Sequence, residues 1–494
     1  MLGSILSAVL VLSAVGVEPG PGGSEAGPPV PRFEPGACPV AVEPGERIDC
    51  GLLFVPEVRG KAGSRTIRLP VMVFRSRSAR PAPDPLVFVP GGPGNSNVAR
   101  RRSGRRIPLL DERDYVVLEP RGARHSQPAL ECPETNQLKG EIAAGRLRDP
   151  PATAALAEAA AACRQRLVAD GVDLDGYSSA ALADDLEDLR VALGYPSWNL
   201  HGLSYGTRVV LTALRRHPDG VRSVVLDSVL PPEVNFDEVS AFNLLRSLNL
   251  VFDGCAIDRR CGTAFPDLRR RFAELVDRAD REPLPLELRD GDRGRATEVR
   301  GAQVVDALYA ALHDEQELPL IPRLIAEAAE GRYARLAALV KANQGPSSFT
   351  WGLRYSVWCS EESPYEDAGR VASQLSPALG LAGIDETTAR AEVCRAWDVT
   401  PAPAVENEPV RSSVPALVFA GEFDPDTPPQ WGRQVLSGLS RAFYVEMRGK
   451  SHGAAFDECA AKIESAFLRD PASPPPVGCA MTRRGADFGR SVER

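Results

Sequence analysis

The 494-residue chain is 43% hydrophobic and carries 58 basic against 66 acidic side chains, a formal charge of −8. A single core stops growing near ~250–300 residues, so this much apolar sequence points to more than one structural unit. The acidic balance excludes a nucleic-acid binder, whose footprint is basic. One local exception is the run Arg100, Arg101, Arg102, Arg105 and Arg106. It reads either as a solvated loop face or as a contact for an anionic ligand or surface.

In chain order, residues 1–17 (MLGSILSAVLVLSAVGV) form a short apolar run with small residues at Ala14 and Gly16, the pattern of a signal peptide. The run is shorter than the ~20 residues a membrane span needs, and no other stretch reads as a span. Residues 18–36, rich in Pro, Gly and Glu, read as a disordered leader. Strand patterns follow at 51–56, at 66–74 (alternating Ile67, Leu69, Val71 and Val73), at 86–90 and at 115–118. An Ala-rich helix is expected over 151–169. A second, over 180–193, places Leu182, Leu186, Leu189 and Leu193 on one face, with Ser178 or Ser179 as its cap and Gly194 at its end. Then come a strand (197–201), a helix (205–216) and a strand (223–227). Strands alternating with helices mean a mostly parallel sheet covered on both faces, an α/β fold.

The pattern breaks after Pro231–Pro232. From 233 to 405 it is mainly helical with no strand alternation, and strand–helix order returns at 414–420, 442–446 and 456–468. The reading is an α/β sheet core in two parts, 37–232 and 406–494, interrupted by a helical cap over 233–405.

The chemistry is concentrated at Gly202-Leu-Ser204-Tyr-Gly206, a GxSxG between an apolar strand and a helix. Such a turn is too tight for large neighbours and lifts the serine hydroxyl clear of the sheet. A serine needs a base. Of the five histidines (125, 201, 217, 313 and 452), His452 is the one in a loop after the last strand and before the final helix. The acid falls between serine and histidine in this chain order. Gly421-Glu-Phe-Asp424-Pro-Asp426 offers two aspartates, of which Asp424 comes first after the strand; Asp426 is the alternative and Asp227 a third. Its role is to orient the histidine and stabilise the imidazolium. Donors for a developing oxyanion are expected from the backbone N–H of Tyr205 and, in the glycine-rich turn Pro90-Gly-Gly92-Pro-Gly94, from Gly92. Nothing in the sequence calls for a cofactor or a metal.

Ten cysteines, an even number without a CxxC pair, indicate an oxidising compartment, either secreted or in the periplasm or cell envelope. Pairing neighbours along the chain gives 38–50, 132–163, 255–261, 359–394 and 459–479, one of many connectivities the sequence permits.

Together these motifs resemble the proline iminopeptidase and tripeptidyl aminopeptidase group of α/β-hydrolases, with the C-terminal region typical of the tripeptidyl aminopeptidases. The likeness runs from about Cys50 to Cys459. It is carried by PGGPG (90–94), EPRGARHS (119–126), WNLHGLSYGTR (198–208), VLDSVLPPE (225–233), CAIDRRCGTAFP (255–266), WCSEESP (358–364), GEFDPDTP (421–428) and GKSHG (449–453). Two positions depart from the group: Pro90, where it has His or Asn, and Glu119-Pro, where it has Asp-Gln. The resemblance implies an α/β-hydrolase fold and hydrolysis of short peptides from a free N-terminus. It also implies that acidic cap residues hold the substrate ammonium, Glu361 by position with Glu362 behind it. An esterase on the same triad is the alternative.

Overall fold

The computed structural model describes residues 30–99, 101, 103–104, 107–147, 151–290, 293–344, 349–374 and 391–493. The expected signal peptide, most of the leader and four of the five clustered arginines lie outside these residues.

Eleven strands are present among the described residues: β1 (Arg32–Pro35), β2 (Ile48–Pro56), β3 (Thr66–Phe74), β4 (Ala82–Val89), β5 (Arg113–Leu118), β6 (Trp198–Leu203), β7 (Val221–Asp227), β8 (Leu284–Asp290), β9 (Arg293–Val299), β10 (Ala416–Gly421) and β11 (Ala442–Met447). Nine of them form one sheet in the order β1-β2-β3-β5-β4-β6-β7-β10-β11. The β1, β2 and β3 pairings and the β3–β5 pairing are antiparallel, and every pairing from β5 to β11 is parallel. β10 (ALVFAG) is buried at every residue, as a parallel strand covered on both faces must be.

The local signals act as expected around the elbow strand. Ser178 caps the helix Ser179–Leu193 by accepting from the Ala181 N–H at 3.2 Å, and Gly194 ends it in the left-handed conformation. Helix Tyr205–Arg216 follows β6 directly and is buried over its first ten residues, because it packs between the sheet and the segments that return from the insertion.

Three expectations are corrected. Pro35 and its neighbours are not all disordered leader: β1 pairs with β2 at the sheet edge, and Arg32 lies 4.1 Å over the Phe54 ring. The insertion is not purely helical: β8 and β9 form a separate antiparallel hairpin whose Leu284, Leu286 and Leu288 face the insertion's own core. Nor does all of 233–405 belong to a separate cap. Residues from Ala241 to Val340 build a second apolar core. Trp351, Leu353, Tyr355, Val357, Trp358, Val393 and Trp397 are instead part of the main core, alongside Ala160, Cys163 and Leu167 of helix Pro151–Ala169.

Five disulfides join Cys38–Cys50, Cys132–Cys163, Cys255–Cys261, Cys359–Cys394 and Cys459–Cys479, the sequence-neighbour pairing. Among the described residues no helix is long and apolar enough to cross a membrane. The Cys132–Cys163 bridge closes a 31-residue separation onto the main core. Replacing both cysteines by serine is expected to cost about 2–5 kcal/mol of unfolding free energy, measured by denaturant titration under non-reducing conditions.

Candidate active site

Ser204 sits between β6 and its helix with φ 56° and ψ −127°, a conformation disfavoured for a residue with a side chain. The turn holds it there. A Cβ on Gly206 would lie 2.2 Å from the Val89 carbonyl oxygen, and one on Gly202 would lie 2.6 Å from the Gly206 carbonyl oxygen, so neither position admits a side chain. Gly91 lies against the serine as well, since a Cβ there would meet Ser204 Cβ at 2.9 Å. The glycine-rich turn after β4 is therefore beside the nucleophile's position. Gly92 has φ 125°, which suits glycine, and its carbonyl accepts from Arg354 at 2.9 Å. Tyr205 begins the helix, with its hydroxyl 2.8 Å from Ser179 Oγ.

His452 Nδ1 lies 3.0 and 3.1 Å from the two carboxylate oxygens of Asp424, and 3.7 Å from Asp426. Asp424 is thus the histidine's hydrogen-bond partner and Asp426 its neighbour. Asp424 itself is fixed by the backbone N–H groups of Asp426 and Thr427 and by the Thr427 hydroxyl, all at 2.8–2.9 Å. The Thr427 hydroxyl is also 3.3 Å from His452 Nδ1. Burial opposes charge on His452, but Asp424, then Asp426 and Asp227, push its pKa up to about 10.

The third aspartate has a different use. The Asp227 carboxylate accepts from the backbone N–H groups of Ala454 and Ala455 at 2.9 and 3.1 Å, and Ser228 Oγ accepts from Gly453 N–H at 2.9 Å. The end of β7 thereby holds the three residues that follow His452. Burial raises the Asp227 carboxyl to about 6, against the opposing effect of His201.

Two of the remaining histidines are engaged elsewhere. His201 Nδ1 is 2.8 Å from Glu464, and His217 Nε2 is 2.7 Å from Asp184. His313, at the end of the insertion helix Gly301–His313, reaches the site: its Nε2 is 2.9 Å from Asp426, and its ring centroid is 5.6 Å from that of His452. The ligating atoms of Asp424, Asp426 and His452 converge within 4.8 Å, but they are already bonded to the groups named here.

A cavity of about 710 Å³ opens beside Pro425 and Asp426, walled by Phe236, Leu244, Tyr309, His313, Val340 and Phe349, with Asp306 also on its lining. Both cores contribute to that wall.

The expected ammonium site at Glu361 and Glu362 is not there. Both residues end the helix Trp351–Glu361 or follow it, and they are 1% and 2% exposed. Glu361 accepts from the Ser179 N–H and hydroxyl at 2.5 and 2.6 Å and lies 3.3 Å from Arg208; Glu362 pairs with Arg208 and accepts from Phe236 N–H at 3.0 Å. Burial raises both carboxyls, and Arg208 opposes it. The two glutamates neutralise a buried arginine of the elbow helix, and their oxygens are occupied. Glu119, at one of the positions departing from the group, is structural too: it accepts from Asn97, Val98 and His125 N–H groups at 2.8–3.2 Å.

A parallel sheet whose central strand turns sharply through a strained serine into a helix, with an acid and a histidine on later loops, defines an α/β hydrolase. Residues 84–261 match the alpha/beta hydrolase fold family and residues 381–479 the TAP-like protein family; the chain is an α/β hydrolase with a TAP-like C-terminal region. It is similar to the protein named Serine protease Hip1 of Mycobacterium tuberculosis, at 26% identity over 459 residues covering 86% of each chain. It is also 31% identical to the tripeptidyl aminopeptidase of Streptomyces lividans over 213 residues, 40% of this chain and 39% of that one. In an alignment 519 positions long, covering 96% of this chain and 95% of the other, it is 27% identical to a protein named Carboxylesterase B of Mycobacterium tuberculosis.

Arg208 keeps Glu362 when Glu361 loses its charge, so Glu361→Gln removes only the charged acceptor of the Ser179 N–H and hydroxyl. It is expected to lower stability by about 1–3 kcal/mol while leaving KM for an amine-bearing substrate within a few-fold of the parent. Paired thermal-melt and steady-state measurements check this.

Proposed function

We propose that the protein is an exported serine exopeptidase that removes short peptides from a free N-terminus through an acyl-enzyme. The observation that carries the reading is His452 bonded through Nδ1 to a buried, fully satisfied Asp424, while the strand end that accepts the N–H of the strained Ser204 also holds the residues just after His452. In this reading His452 takes the Ser204 proton during attack and returns it to the leaving amine. Asp424 fixes the ring and stabilises the imidazolium. The N–H groups of Gly92 and Tyr205 receive the oxyanion.

The relatives named as a serine protease and a tripeptidyl aminopeptidase favour a peptide bond, and the cavity shared by the two cores suits a short chain better than an open groove. With Glu361 and Glu362 taken up by Arg208, the acidic side chains on the cavity wall are Asp306 and Asp426, of the sign an ammonium needs. The five disulfides support export. A carboxylic-ester hydrolase on the same triad is the second reading, favoured by the relative named as a carboxylesterase.

A matched panel of amino-acyl, dipeptidyl and tripeptidyl chromogenic amides, each free and N-acetylated, separates the two. The exopeptidase reading expects acetylation to lower kcat/KM by about a hundredfold, since the amine anchor supplies remote binding energy that an amide bond needs. Equal rates on blocked and free substrates, or turnover of acyl esters alone, would remove it in favour of the esterase.

A further inference from the structure

The histidine that terminates helix Gly301–His313 has acceptors on both sides. Its Nδ1 is 2.9 Å from the Tyr309 carbonyl oxygen one turn back, and its Nε2 is 2.9 Å from an Asp426 carboxylate oxygen. A carbonyl and an ionised carboxylate have no proton to give, so both ring nitrogens must donate. An imidazole with two N–H groups is a cation. The other Asp426 oxygen is taken by the Tyr309 hydroxyl at 2.5 Å, so one helix of the insertion grips the whole carboxylate. Burial works against charge on His313, but Asp426 outweighs it and raises the imidazole above its ordinary value. On Asp426, burial is likewise outweighed, by His313 first, and the carboxyl is held below its usual range.

This pair stands next to the proposed base. Asp426 is 3.7 Å from His452 Nδ1, closer than the 5.6 Å between the two imidazole centroids. The charged or titratable groups facing His452 are Asp424 and Asp426 on its orienting loop, Asp227 at the end of β7, and His313 from the insertion. Those facing Asp426 and His313 are His452, Tyr309 and Arg354. A general base works only when it is neutral before attack. One carboxylate on Nδ1 is what orientation requires, and a second uncompensated one would keep the proton on the ring.

We infer that His313 is a positioning residue for the hydrolytic reaction: as a cation carried by the insertion, it offsets the charge of Asp426 beside His452 and so weakens the hold on the base's proton. The geometry also makes this compensation conditional, because it reaches the triad only while helix Gly301–His313 is seated against the Asp424–Asp426 loop. The inference rests on the reading of Ser204, His452 and Asp424 as a triad.

The test is the pH profile of kcat/KM on a small activated acyl ester, which needs no anchoring in the cavity, for the full chain and its variants. His313→Gln keeps a donor toward Asp426 without the charge. It should move the acid limb upward by about one pH unit, an approximately tenfold loss at neutral pH that disappears in alkali. His313→Lys, which retains a cation, should keep the parent limb. Asp426→Asn combined with His313→Gln should return the limb to the parent position, since the charge needing compensation has gone. A uniform loss at all pH values in His313→Gln, or an unmoved limb, would overturn the inference and leave a packing role. Should His313→Gln fail to fold, the imidazole nitrogen NMR signals of the parent decide: two protonated nitrogens on His313 at neutral pH support the proposal, and a neutral single tautomer overturns it. An inactive parent, or a Ser204→Ala variant as active as the parent, would instead defeat the triad reading itself.

Discussion

The last residue of β7 joins the two halves of the site. Through its backbone carbonyl, Asp227 accepts the Ser204 N–H at 2.9 Å; through its carboxylate it accepts the Ala454 and Ala455 N–H groups just beyond His452. Ser204 and His452 come from segments about 250 residues apart, yet one residue touches the backbone of both segments. The strain at Ser204 depends on this tie. A serine at φ 56° persists only where its surroundings over-determine it, and here the Asp227 carbonyl, Gly91 and the close pass of Gly206 against Val89 do so. Orientation of the histidine follows from the same strand end, with Ser228 securing Gly453.

The interior also holds ionised groups compensated locally. Arg208 on the elbow helix is neutralised by Glu361 and Glu362; Arg121 lies between both oxygens of Asp185; His201 meets Glu464 beneath the nucleophile strand. Such pairs add little net stability compared with apolar packing, because both charges lose their hydration. They do fix distances, since a misplaced partner leaves a buried charge exposed to the full desolvation cost.

Much of this was legible in the sequence wherever the signal was local. GxSxG between an apolar strand and a helix pointed to Ser204. The loop positions of His452 and Asp424 followed from chain order, and the structure puts Asp424 rather than Asp426 on Nδ1. What local pattern could not supply was the partner of a charge. Glu361 and Glu362 looked available for a substrate because Arg208, 154 positions before Glu362, carries no sign in its own neighbourhood that it is buried and needs them. His313 carries no local sign either, since only the packed insertion brings it to Asp426, 113 positions on. The Leu284–Leu286–Leu288 alternation of the hairpin was a readable strand signal hidden within a helical stretch. β1 is obscured by Pro35 at its end and Pro31 just before it, which an edge strand tolerates and an isolated sequence window does not reveal.

The central claim is that Ser204, and no other hydroxyl, attacks the substrate with His452 as its base. A mechanism-based phosphonylating reagent followed by peptide mapping tests it directly. The account predicts a single adduct, on Ser204, whose rate of formation collapses in His452→Ala although the protein remains folded. An adduct on another residue, or undiminished labelling of Ser204 without His452, would contradict it.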